Sequence, residues 1–169
     1  NKGGENPDTT NAPLNNISIY LLPDNPLEGD KWEELVLTQV RIPINSQPVD
    51  LDLDGDMDIV VGSRAERRIL WLENIGDFKF AQHDIRLSSA LDKGSWITGF
   101  NMDYGDLNGD GLLDIVSSVW PSSAYILFQP HDPAEKWNIL KIGSIEPDLL
   151  VSVSLADIDG DGDKDLFSG

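Results

Sequence analysis

The chain has 169 residues, enough for one domain of ordinary size, and 40% of them are hydrophobic, enough to furnish a core. Lys and Arg number 12 against 30 Asp and Glu, so the net charge is −18, which argues against nucleic acid or an anionic membrane as a partner and favours divalent cations or a basic ligand. No apolar run approaches the ~20 residues of a membrane span, no export signal is visible, and with no cysteine neither a disulfide framework nor a redox compartment is inferred.

In chain order, residues 1–13 ("NKGGENPDTTNAP") are polar and rich in Gly, Pro and Asn. They read as a flexible tether, of the kind that follows an export signal or a lipid anchor, although a cloning boundary would look the same. Residues 14–44 carry "ISIYLLPDNP…KW" from Ile17 to Trp32 and supply the last two strands of a first unit. The acidic stretch "VDLDLDGDMDIVVG" from Val49 then opens a new pattern, which returns as "GDLNGDGLLDIVSS" from Gly105 and "ADIDGDGDKDLFSG" from Ala156. The leading aspartates, Asp50, Asp106 and Asp157, stand 56 and 51 residues apart. A second series, at "RILWLENIGDFKF" (Arg68 to Phe80) and "AYILFQPHDPAEKW" (Ala124 to Trp137), runs in phase with the first. The repeating unit is therefore about fifty residues, in the range of propeller blades.

Each unit reads as four short strands. From Trp96 these are "WITGFNMDYGDL", then, after the acidic loop, "LLDIVSSVW", "AYILFQP" and "WNILKIGS". All are rich in β-branched and aromatic residues and bounded by Gly, Pro, Asn and Asp. No segment sustains a helical period. The expected architecture is all-β: about three four-stranded blades of a β-propeller, with a half blade at 14–44, full blades at 45–88 and 95–144, and a half blade at 145–169. Closed propellers usually need 4–8 blades, so further blades are expected from the same longer chain or from an oligomer partner. Trp32 and Trp137 hold equivalent places and both read as core, as does Trp71. His83 and His131 read as surface or turn residues.

The acidic loops read as metal sites. Counting each from its first aspartate, positions 1, 3, 5 and 9 are Asp50, Asp52, Asp54 and Asp58 in loop one. They are Asp106, Asn108, Asp110 and Asp114 in loop two, and Asp157, Asp159, Asp161 and Asp165 in loop three. Alternate spacing lets a curled loop aim several oxygens inward. Glycine at position 6 (Gly55, Gly111, Gly162) permits a sharp turn. Position 7 (Asp56, Leu112, Asp163) varies in type, as expected if only its backbone carbonyl is used. An all-oxygen set suits Ca²⁺, about three ions per chain, and does not suit Zn²⁺. Loop two has the fewest carboxylates and is expected to bind least tightly. An EF-hand requires Glu at position 12 and flanking helices; here position 12 is Val61, Ser117 and Ser168, followed by strand-like sequence.

With their trailing "DIVVG", "DIVSS" and "DLFSG", these loops resemble the FG-GAP/VCBS family of repeats, found in integrin α-subunit heads and many bacterial secreted proteins. "ILWLENIGDFKF" resembles the WLEN-and-turn stretch of the bacterial members. The resemblance covers residues 14–169 and implies a β-propeller with Ca²⁺ in the loop joining strands one and two of each blade. By that resemblance the twelve side chains at positions 1, 3, 5 and 9 are the ligands. The signature that gives the family its name is matched only in fragments, at Gly62-Ser63 and Gly99-Phe100, which favours the VCBS-like branch over integrins.

The opposite ends of the strands gather "GSRAERR", "SSALDKGSW", "VWPSSA" and "GSIEPD", and with them Arg64, Arg67, Arg68, Lys93, Trp96 and Trp120. Two readings stand. Tryptophans in strands are more often inter-blade packing, with the arginines offsetting an acidic surface. Alternatively, the set binds an acidic saccharide through arginine forks and aromatic stacking. No nucleophile motif or phosphate-cradling loop occurs. The expected function is a calcium-stabilised propeller of a secreted, cell-surface or periplasmic protein, acting in carbohydrate or protein binding and adhesion. The alternatives are the propeller portion of a polysaccharide lyase or sugar dehydratase, and a purely structural repeat region.

Overall fold

A computed structural model describes residues 11–28, 31–144 and 152–169. Most of the expected tether and most of the "GSIEPD" link lie outside the described residues. Among the described residues thirteen strands form four sheets in chain order, antiparallel except for one short parallel pairing, and no α-helix occurs. The first sheet pairs β1 (Leu14–Leu21) with β2 (Glu33–Arg41). The second is a four-stranded meander of β3 (Pro43–Val49), β4 (Asp58–Ser63), β5 (Arg68–Asn74) and β6 (Phe80–Asp84).

The third sheet contains β8 (Trp96–Gly105), β9 (Asp114–Trp120), β10 (Ser123–Phe128) and β11 (Lys136–Ser144), with the two-residue β7 (Arg86–Leu87) added in parallel along the outer edge of β11. The fourth pairs β12 (Val153–Ala156) with β13 (Asp165–Ser168). The first strands of successive sheets, β3, β8 and β12, touch in series and so define the inner edge of a partial β-propeller. β7 runs from one sheet to the outer edge of the next, where it covers backbone groups that an open edge would leave unpaired.

Why consecutive apolar residues form these strands is visible in where they point. Side chains alternate across a strand, and each inner sheet is covered on both sides. Val60, Ile69 and Trp71 enter the core between the second and third sheets, while their neighbours Val61, Leu70 and Leu72 enter the core between the first and second. Likewise Ile115, Tyr125 and Leu127 face back, and Val116 and Ala124 face forward toward Val153. A strand buried on both faces reads as a continuous apolar run, hence "DIVVG" and "ILWL". Each such fully buried aliphatic side chain contributes about 1.5–3 kcal/mol relative to exposure.

The expectation that Trp32 is core fails. Trp137 is fully buried and its indole N–H donates to Pro133 O at 2.9 Å. Trp32 makes the equivalent bond to Pro26 O at 3.2 Å but is 37% exposed. Local geometry is thus shared. Burial is not, because Trp137 fills the seam against the preceding sheet, and the same face of the first sheet has no sheet against it among the described residues. His83 is also more engaged than a surface residue. It is half-buried, stacks on Trp71 with centroids 4.7 Å apart, and meets Glu73 at 2.7 Å.

The second and third sheets meet most closely at two glycines. A Cβ on Gly62 would lie 2.4 Å from Thr98 O and 2.6 Å from Gly99 O, and one on Gly99 would lie 2.8 Å from Gly62 Cα. β8 leaves its register with β9 between Ile97 and Met102, with Gly99 at φ 64°, and this irregularity brings the two backbones together.

Candidate metal centres

Each acidic loop joins the first and second strands of a sheet, and all three share one hydrogen-bond pattern. The amide of position 6 donates to the carboxylate of position 1: Gly55 to Asp50 at 3.2 Å, Gly111 to Asp106 at 2.9 Å, Gly162 to Asp157 at 3.1 Å. The amide of position 5 donates to the side-chain oxygen of position 3, from Asp54 to Asp52, Asp110 to Asn108 and Asp161 to Asp159. The amide of position 7 donates to position 5, from Asp56 to Asp54, Leu112 to Asp110 and Asp163 to Asp161. Side chains from alternate positions thereby turn into one concave loop. Gly55, Gly111 and Gly162 hold φ of 97°, 85° and 101°, as the turn was expected to require.

Position 4 is left-handed too, which the sequence did not reveal. Gly109 and Gly160 adopt it at φ 78° and 81°, and Leu53 adopts it at φ 60°. Two glycines in three loops were the available signal, and a leucine in the third concealed it.

Position 9 also accepts hydrogen bonds from outside its own turn. Asp58 is 1% exposed; its Oδ2 accepts from Leu51 N at 3.1 Å and Trp71 Nε1 at 2.8 Å, and its Oδ1 accepts from Asn74 N at 2.8 Å. Asp114 is fully buried and accepts from Leu107 N and Gln129 N. Asp165 accepts from Ile158 N at 2.9 Å. These carboxylates clamp the loop's second residue, and in the two inner sheets also the end of the third strand. Sequence reading placed Trp71 in the core but gave none of Trp71, Asn74 and Gln129 a part in the loops. Gln129 further donates to Leu51 O at 2.9 Å, which links loop one to the next sheet.

Carboxylate oxygens of Asp50, Asp52 and Asp54 lie within 4.8 Å of one another, as do those of Asp157, Asp159 and Asp165. In loop two, Asn108 Nδ2 donates to Asp110 Oδ2 at 2.9 Å, so an amide replaces one charge of the set. Asp56 and Asp163 are exposed and Leu112 is half-buried, at the places where only a backbone carbonyl is expected to serve. Electrostatics follow the crowding. Burial, then the neighbouring Asp58, pushes the Asp52 carboxyl above its ordinary range, and Glu73 adds to this. Burial raises Asp58 and Asp114, and Asp161 raises Asp163. Asp106 is lowered, chiefly by the Gly111 amide. An all-oxygen donor set under mutual repulsion fits a hard dication. So does one specific atom: Asp50 Oδ1 is buried with no hydrogen-bond partner, an arrangement that costs free energy unless something positive meets it.

At the opposite strand ends, Trp96 and Trp120 are cross-strand partners with ring centroids 5.4 Å apart and planes 19° from parallel. The Arg67 guanidinium lies 4.3 Å from the centre of the Trp96 ring. Trp120, at the end of β9, is 41% exposed among the described residues. Arg68 is neutralised by Glu66 and Asp84, each at 2.6 Å. Arg64 and Lys93 are exposed. An open cleft of about 480 Å³ runs between the second sheet and the link to the third, with Arg67, Arg68, Lys93 and Trp96 in its wall.

Fold and loops together define a class: a partial propeller whose last three sheets each carry an acidic loop of one geometry between their first and second strands. The model of the FG-GAP-like repeat matches residues 50–117 and again 106–168, each match beginning at the leading aspartate of a loop. The chain belongs to the FG-GAP-like repeat family. No curated protein matches it.

Proposed function

We propose that the chain is a calcium-stabilised portion of a β-propeller, from a secreted or cell-surface protein, that presents a ligand-binding surface to carbohydrate or protein. The observation that carries the metal reading is the recurrence of one oxygen-lined loop geometry three times, with Asp50 Oδ1 buried and unpartnered in the first. Asp50, Asp52 and Asp54 would hold the ion in loop one, Asp106, Asn108 and Asp110 in loop two, and Asp157, Asp159, Asp161 and Asp165 in loop three. Asp58 and Asp114 serve mainly as clamps. Bound calcium would supply positive charge that offsets carboxylate repulsion. Loops whose carboxylates are mostly exposed suit the weak affinities of extracellular modules in millimolar calcium. Scaffold-borne loops at the other end of the strands are where ligand contact is expected.

Titration calorimetry tests this reading. About three calcium ions per chain are expected, and Asp110→Ala should remove one of them while leaving the other two. A stoichiometry near zero for the parent chain contradicts it.

A further inference from the structure

We infer that the cleft bounded by Arg67, Lys93 and Trp96 binds a carboxylate-bearing saccharide chain, a polyuronate, with the exposed indole of Trp120 as a neighbouring stacking surface. This rests on the proposed ligand-binding role and names its ligand class.

The charge pattern comes first. In a chain of net charge −18, most carboxylates repel an anionic ligand, so a local reversal of sign is informative. Arg41, Arg68 and Lys141 all meet carboxylates. Arg67 and Lys93 face one cleft and form no ion pair among the described residues. The one carboxylate in the cleft wall, Asp92, is held by Lys141 at 2.6 Å. The cleft therefore presents uncompensated positive charge, which concentrates anions.

The chemistry of the wall narrows the anion. The Arg67 guanidinium carbon lies over the Trp96 ring, no ion pair takes up its N–H groups among the described residues, and a guanidinium edge matches a carboxylate in two parallel bonds. Stacking also fixes the fork in place before a ligand arrives, so less conformational freedom is lost on binding. Trp120, stacked on Trp96 just outside the cleft wall, offers an exposed indole. Such a surface takes the rigid C–H face of a pyranose ring. Ser89 and Ser95 add hydroxyls to the wall for sugar oxygens. A ligand with a carboxylate and a flat apolar ring face joined in one unit is a uronate. A glutamate or aspartate side chain brings the carboxylate without a rigid ring face. The cleft is open at its sides, which suits a chain passing through more than a sealed small molecule.

The test uses the whole chain at fixed free calcium, because uronates bind calcium themselves. Trigalacturonate, neutral galactotriose and triglutamate are titrated while the indole N–H signals of Trp96 and Trp120 are followed by NMR. Trigalacturonate should shift both signals. Arg67→Gln should weaken it about tenfold, the loss of one charge-assisted contact, and Lys93→Gln should weaken it less, with unaltered melting showing that both variants fold. Binding of galactotriose as tight as that of the acid, triglutamate binding equally well, or indifference to Arg67→Gln overturns the proposal. The calcium reading is scored separately, by melting without saccharide, so either failure is recognisable alone.

Discussion

The two ends of the strands are built on opposite plans. At one end, each acidic loop crowds carboxylates toward a single concavity and ties them with backbone amides. At the other end, cations and tryptophans gather, with Arg67 laid on Trp96 and no carboxylate pairing it among the described residues. Both ends rest on the same sheets, so the rigid middle lets them differ. On the proposed reading, the contrast makes the loop end a matter of stability and the cleft end a matter of recognition. Substitutions at the two ends should accordingly be read by different measurements.

The largest effect is expected at the clamp of loop one. Asp58→Ala strands the Leu51 and Asn74 amides and the Trp71 indole N–H, and should cost roughly 3–5 kcal/mol in denaturant unfolding. The cost should be present with or without calcium. Asp54→Ala is the contrasting variant: its cost should appear only with calcium, up to about 2.7 kcal/mol at a hundredfold excess over Kd. Equal calcium dependence of the two variants would erase the distinction between clamp and ligand.

Next is Gly62→Ala, near the cleft end of β4. The added methyl meets Thr98 O and Gly99 O, and about 2–3 kcal/mol should be lost through overpacking. Calcium should neither mask nor enlarge that loss. The smallest effect is a gain. Leu53→Gly gives loop one the residue that loops two and three use at position 4, and relief of the left-handed strain at φ 60° should stabilise by about 0.5 kcal/mol after the entropy cost of glycine. A destabilisation there would mean that the Leu53 side chain contributes more than its backbone costs.

Much of this design was legible in the sequence, because the repeat supplied internal controls. Three loops in phase with three strand series gave the blade order, and glycine at position 6 marked a turn that the φ values bear out. Four things were hidden, each for a physical reason. A backbone clamp and a metal ligand both demand an acceptor oxygen, so nothing in the sequence marked the three donors that Asp58 satisfies beside the ligand role expected of it. Burial in a propeller comes from the neighbouring sheet, so Trp32 and Trp137 matched in sequence but differ in exposure. The two-residue parallel pairing of β7 is too short to leave any periodicity. Among the cations, Arg68 carried no mark to show that Glu66 and Asp84 already satisfy it.

The most direct test of the account is thermal unfolding in millimolar calcium and again in excess chelator, with magnesium at the same concentration as a control. Relief of carboxylate repulsion at even one loop predicts a calcium-specific rise in Tm of about 10 °C, more if several loops fill. Superimposable melts in calcium and chelator, with contaminating metal removed, would contradict it.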